Sequence, residues 1–236
     1  MNEKLEPKVL GGLLGLIAHD LRNPLSALHS NVGFIGSMLP TDSEDAREAL
    51  SDALVSCEGL VAIIDNVELL SQSLSGVKER ATESFSAAAV VAEVVSALTP
   101  IANSHEVKLE LEAGASDTIL QIVAHRDMYR RALSNLVRNG IQYSTTGPVV
   151  VGVCDAGDRV AVIVSDHGPR LAIELEHEAF SAAGQLQTKG KASGRYGRGL
   201  GLFCASYAAR VAGAAVELIE PPEGKTNAFA LTTQKL

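Results

Sequence analysis

Along the first third of the chain, apolar residues recur in alternating steps of three and four, at Leu14, Ile17, Leu21, Leu25, Leu28, Val32 and Ile35. That spacing predicts one long helix with a stripe of coiled-coil type. A Pro-Thr-Asp-Ser break at 40–43 ends it, and Asp42 or Ser43 is placed to cap a second helix striped by Leu50, Leu54, Cys57, Val61, Ile64, Val67 and Leu74. The two should fold back as a hairpin. Leu13, Leu60, Ile63 and Leu69 lie beside the stripes, and this surplus asks for a partner, most simply a second copy completing a four-helix bundle.

After the polar stretch 71–84 the period changes to helices interleaved with short strands, as in a separate α/β layer domain. Helices are expected over 87–103, 127–142 and 200–211. Strands are expected over 107–112, 149–154, 159–164, 215–219 and 228–232, the middle pair closed by the turn Asp155-Ala156-Gly157-Asp158. Residues 169–193 keep no period and read as a long loop with one short helix over 173–180. The boundary falls near 76–84, so the chain divides into a helical hairpin over 1–78 and an α/β domain over 79–236, an α+β fold class. No internal repeat interrupts this reading.

A net charge of -8 and 4% aromatic residues give no basic footprint and few stacking platforms, so no nucleic acid partner is expected. The longest apolar run, 9–18, is far short of the roughly 20 residues that cross a bilayer, and no membrane span is expected. Lys4 and Lys8 imitate the start of a secretory leader, but no small-x-small cleavage site follows. The three cysteines, Cys57, Cys154 and Cys204, are far apart and form no Cys-x-x-Cys pair. They read as small buried side chains in a reducing, cytoplasmic setting.

Four groups of residues stand out from this background. His19 lies two positions from both Ile17 and Leu21, about 200° from each around a helix, so it points away from the stripe with Asp20 beside it. Asn23 follows one turn later over the same face, and Pro24 should bend or loosen the helix. An exposed imidazole beside a carboxylate is available as a nucleophile, or is simply a solvated surface histidine. Asn135 and Asn139 share one face of a helix, where amide oxygens suit Mg2+ held jointly with phosphates; two solvated asparagines would look the same. Asp166 ends an apolar strand and Gly168 follows, placing a carboxylate where ligands approach an open sheet, unless the pair merely makes a turn. Gly197, Gly199 and Gly201 lead into a helix whose N-H groups can face an anion, with Lys189, Lys191, Arg195 and Arg198 adding positive charge. The dinucleotide fingerprint is set aside, because a polar loop and not a strand precedes these glycines.

Taken in order, His19-Asp-Leu-Arg-Asn23-Pro24-Leu, Asn135-x-x-x-Asn139-Gly, Asp166-x-Gly168 and Gly197-x-Gly199-x-Gly201 resemble the H, N, G1 and G2 boxes of bacterial two-component sensor histidine kinases. The resemblance implies a dimerising phosphoacceptor hairpin followed by a Bergerat-type ATP-binding sandwich of the kind shared with Hsp90, gyrase and MutL. It implies that His19 receives the γ-phosphoryl group of ATP, that Asp20 orients the ring, and that Asn23 positions water for dephosphorylation of a partner. Asn139 would hold Mg2+ with Asn135 as its companion, Asp166 the adenine amine with Gly168 giving the base room, and Tyr143 would line the pocket. Gly197, Gly199, Gly201 and Arg198 would surround the phosphates. The implied partners are a second copy, as a homodimer, and the receiver domain of a response regulator.

The chain departs from the family at Arg170, where a second glycine is usual, at Pro169 before it, and at Gln142, where a lysine or arginine is common; Phe180 is the candidate for the F box. These departures keep open a phosphotransfer protein or pseudokinase with a degenerate ATP-binding domain. A clamp-type ATPase of the same sandwich family is less well matched, since no acid lies between Tyr129 and Asn139. A chain that takes its signal from another protein and a catalytic piece of something longer both stay open.

Overall fold

Two helices of 32 residues, α1 (Pro7–Met38) and α2 (Glu44–Ser75), pack along each other. The computed structural model describes residues 7–38, 44–75, 81–112, 120–144, 146–171, 179–181 and 200–236, and the chain divides into two compact units, Met1–Lys78 and Glu79–Leu236. The expected break and caps at 40–43 lie outside the described residues. Ala18, Leu25, Cys57 and Ile64 form the buried seam of the hairpin, with Val61 and Val67 packed against it. Toward one end the helices approach closely: Ser71 Oγ donates to the Gly11 carbonyl at 2.7 Å, and a Cβ on Gly15 would lie 2.9 Å from that same hydroxyl.

The sequence stripe on α1 therefore divides. Leu25 is buried and Leu14 and Val32 partly so, while Ile17, Leu21, Leu28 and Ile35 each keep about half their surface, at 53%, 51%, 49% and 55%. The seam with α2 is centred on Gly11, Gly15, Ala18 and Leu25, small residues that a hydrophobicity pattern does not register. The larger residues form a second face that the hairpin leaves uncovered.

The second unit runs β1 (Glu83–Ser86), α3 (Ala87–Ser104), β2 (Leu109–Leu111), β3 (Gln121–Ala124), α4 (Arg126–Tyr143), β4 (Val149–Asp155), β5 (Arg159–Asp166), α5 (Gly201–Ala212), β6 (Ala214–Ile219) and β7 (Asn227–Gln234). Five strands form a mixed sheet in the order β2-β4-β5-β7-β6, and β1 pairs with β3 apart from it. Only β2 and β4 run parallel in the large sheet. Helix α4 packs on both α3 and α5 and on β4, β5 and β7, and Tyr129, Leu133, Leu136, Val162, Phe229 and Leu231 are fully buried between the layers. Strands β1 and β3 were not expected from sequence: each has only four residues, and β1, Glu-Ser-Phe-Ser, has no apolar alternation.

Helix α3 is 18 residues long and, by length and composition alone, apolar enough to cross a membrane, although the longest uninterrupted run suggested no such segment. Half of it is buried in this unit, where Val90, Val91, Val94 and Leu98 join the core. Cys57 and Cys204 are buried as expected, but Cys154 is exposed, because it falls near the end of β4 where burial gives way to the turn. Burial pushes the Cys204 thiol up to about 12.

At the start of α4, His125 caps the helix by accepting from Met128 N-H at 3.3 Å. Asp127 in the first turn accepts from Arg130 at 2.9 Å and Arg131 at 3.0 Å. Partial burial pushes the Asp127 carboxyl up, but the hydrogen bond from Arg130 and the charges of Arg131 and Arg130 outweigh it and hold the group below its ordinary value. A depressed carboxyl stabilises the fold above its unfolded value and loses that contribution as pH falls through the folded one. Asp127→Asn should thus lower stability at neutral pH by about 0.5 kcal/mol, a small figure because the pair is partly solvated. In denaturant titrations the gap to wild type should close below about pH 4; a gap that persists at lower pH would refute this account.

Candidate functional site

On α1, the His19 and Asp20 side chains are 73% and 82% exposed, with Nδ1 of His19 3.4 Å from Oδ1 of Asp20. Asn23, one turn further on, is exposed as well. Between them Arg22 turns toward the hairpin partner, donating to Asp65 at 2.7 Å and Glu68 at 3.1 Å on α2. This double contact fixes which side of α1 meets α2 and leaves His19 outward. The helix runs on through Pro24, and Leu25, the next residue, is buried in the seam, where packing offsets the missing backbone donor. An imidazole so placed is open to attack on an incoming electrophile, with a carboxylate at hand for the ring proton.

In the second unit, Asp166 ends β5 and is fully buried. Its Oδ1 accepts from Gly168 N-H at 2.8 Å and from Asn227 Nδ2 at 3.0 Å. Asn227 faces Asp166 directly across the β5–β7 ladder. Thr226 donates its hydroxyl to the carbonyls of Gly168 at 2.7 Å and Asp166 at 3.1 Å. The segment from Asp166 to Leu171 is therefore pinned by Thr226 and by Asn227, the first residue of β7.

The last turn of α4 lies against this segment. A Cβ on Gly140 would be 3.0 Å from Val149 and 3.7 Å from the Asp166 Cβ, a close approach that keeps this position small. Ser144 accepts from His167 N-H at 3.4 Å, and His167 Nδ1 lies 3.1 Å from the Pro148 carbonyl. Asn139 is buried and Asn135 and Tyr143 are partly buried, with Asn135 Nδ2 donating to the Arg131 carbonyl at 3.0 Å. The structure thus brings the end of α4, at Gly140 and Ser144, beside Asp166 and His167. Gly201 opens α5, and among the described residues no side chain caps its start; first-turn N-H groups of a helix are of the kind that receive anions. Gly197, Arg198 and Gly199, with Lys189, Lys191 and Arg195 and most of the expected 169–193 loop and its short helix, lie outside the described residues.

The departures also have definite places. Arg170 reaches across to Glu220, 3.2 Å away just past β6, and both are exposed. Gln142 is exposed. Phe180 stands edge-on to Phe229, ring centroids 6.3 Å apart. Asn227, Thr226 and Ser144 were not singled out from sequence. An asparagine opening a strand after the Pro-Pro-Glu-Gly turn was the available signal for Asn227, but its value depends on the strand pairing. Among the described residues no group of three His, Cys, Asp or Glu side chains is placed to hold a metal ion.

Residues 124–235 match the family described as histidine kinase-, DNA gyrase B-, and HSP90-like ATPase, and residues 10–76 match the His Kinase A (phospho-acceptor) domain. The chain is thus a phospho-acceptor hairpin joined to a domain of that ATPase class. Together the two matches make it a two-component sensor histidine kinase catalytic core. Sensor histidine kinase ZraS of Escherichia coli (strain K12) is 26% identical over 233 residues, which is 98% of this chain and 47% of that protein. Sensor histidine kinase MtrB of Mycolicibacterium paratuberculosis (strain ATCC BAA-968 / K-10) is 28% identical over 224 residues, 92% of this chain and 38% of that protein. The chain spans less than half the length of either of these curated relatives. Full-length ShkA, solved in complex with AMPPNP, shares the fold with a TM-score of 0.63 at 20% identity, covering 95% of this chain and 46% of that one.

Proposed function

We propose that the chain is an ATP-dependent protein-histidine kinase that phosphorylates its own His19 and passes the group to an aspartate of a response regulator receiver domain. The observation that carries this reading is the outward His19–Asp20 pair in the same chain as a buried sheet-end carboxylate, Asp166, held by Gly168 and Asn227. With the Nδ1 proton directed at Asp20, Nε2 is the nucleophile. It attacks the γ-phosphorus, the bond to the bridging oxygen breaks, ADP leaves and the Nδ1 proton is lost toward the carboxylate. Asn23 positions water when a phosphorylated partner is hydrolysed.

Asp166 receives the adenine amine, Gly168 and Tyr143 border the base, and Gly197, Arg198, Gly199 and Gly201 meet the phosphates. The neutral amide oxygens of Asn139 and Asn135 are the donor type that suits Mg2+ shared with substrate phosphates, and Asn139 is the assigned ligand. When bound, that ion neutralises charge on the transferred group. The free cysteines, one of them exposed, favour a reducing cytoplasmic setting.

Incubation of the full chain with γ-labelled ATP and Mg2+ tests the reading. The expected label is lost in acid and stable in base, as for a phosphorus–nitrogen bond; acid-stable label, or none, would overturn it. The half-exposed face of Ile17, Leu21, Leu28 and Ile35 is assigned to a second copy. Replacing Leu21→Glu together with Leu28→Glu is expected to convert a dimer into a monomer by light scattering at micromolar concentration, because both charges would be buried twice across a two-fold axis. A dimer unaffected by the pair would remove this face from the interface.

A further inference from the structure

Asn227 is 1% exposed and has more hydrogen bonds than any turn requires. Its Oδ1 accepts from Leu171 N-H at 2.7 Å. Its Nδ2 lies 3.0 Å from Asp166 Oδ1, 3.1 Å from the Pro169 carbonyl, 3.3 Å from the Gly168 carbonyl and 3.4 Å from the Thr226 hydroxyl. The orientation of the amide follows from this set. Leu171 N-H can only donate, so the oxygen must face it; the two carbonyls and the carboxylate can only accept, so the nitrogen must face them.

We infer that Asn227 is the positioning residue for base recognition, holding the Asp166 carboxylate and the Gly168–Leu171 backbone in the arrangement that reads the exocyclic amine of adenine. This rests on the proposed assignment of Asp166 to the adenine. Two N-H donors, from Gly168 and Asn227, meet on one carboxylate oxygen, fixing the rotation of the group about its bond to the chain. Without them, the carboxylate would have to be ordered by the nucleotide itself, at a cost to affinity. The same amide also holds the backbone at Pro169 and Leu171. The clamp thus sets the floor of the base site and the start of the segment leaving it.

The test compares ATP with ITP, whose base carries an oxygen in place of the amine, by calorimetry on wild type, Asn227→Ala and Asn227→Asp. Asn227→Asp keeps size and the acceptor for Leu171 but turns the donor into an acceptor facing other acceptors. Asn227→Ala removes both, and melting curves verify that each variant is folded. ATP affinity is expected to fall about tenfold or more in either variant, while ITP affinity changes by less than about threefold, so discrimination between the two collapses. Parallel loss of ATP and ITP would mean a merely structural role, and retained discrimination would mean none; either overturns the inference. Wild type that binds neither nucleotide at millimolar concentration would instead overturn the assignment of Asp166 on which it stands.

Discussion

His19→Gln is expected to leave no acid-labile label after incubation with γ-labelled ATP and Mg2+, while nucleotide affinity and melting temperature stay at wild-type values. His19 lies on the outer side of α1, 73% exposed, and its removal takes nothing from the seam of Ala18, Leu25, Cys57 and Ile64. Surface changes of this kind typically move stability by no more than about 0.5 kcal/mol. Glutamine keeps a polar, hydrated side chain but has no ring nitrogen lone pair to attack phosphorus. The loss should therefore be complete and not partial, since no other group takes over a covalent step. His29, also on α1 and also exposed, makes the experiment discriminating: it lies ten residues away on the same helix, and label persisting in His19→Gln would transfer the acceptor role to another histidine.

The positions of the candidate residues were legible because residue identity and spacing are themselves the signal. An exposed histidine can be read from its angle to a stripe, and Asn135 and Asn139 from one helical turn. Asp166 could be read from its place at the end of an apolar strand, and the structure places it there, fully buried. What was not legible depends on neighbours distant in sequence. The hairpin seam is built on Gly11, Gly15 and Ala18, where small size permits approach, so a stripe read from large residues alone predicts a contact that only some of them make. Strands β1 and β3 hold together through each other, residues 83–86 against 121–124, and neither has enough alternation to be read alone. Arg22 is visible as a charge, but its bridge to Asp65 and Glu68 needs the hairpin register. Asn227 is hidden for the same reason: its partner Asp166 is 61 residues away, and only the antiparallel pairing of β5 with β7 makes the two neighbours.

Asp166→Asn is expected to weaken ATP binding by about a hundredfold and to bring autophosphorylation to background, with the α/β unit still folded. The two side chains are the same size, and an amide oxygen can still accept from Gly168 N-H and Asn227 Nδ2, so the internal clamp survives. The remaining half of the side chain changes from an acceptor with negative charge to an NH2 donor. Facing the amine of adenine, donor meets donor, and a hydrogen bond of the charged kind, about 1.5–3 kcal/mol, is replaced by a desolvated pair that neither side satisfies. That range corresponds to roughly ten- to two-hundredfold in affinity, and the site's burial places the expectation toward its upper part. Measurement by calorimetry with a non-hydrolysable ATP analogue, alongside near-ultraviolet circular dichroism, separates loss of recognition from loss of fold. Wild-type affinity in Asp166→Asn would move the base to another part of the domain. Lost affinity together with lost tertiary signal would make the buried carboxylate a structural group of the β5–β7 junction and not a reader of the nucleotide.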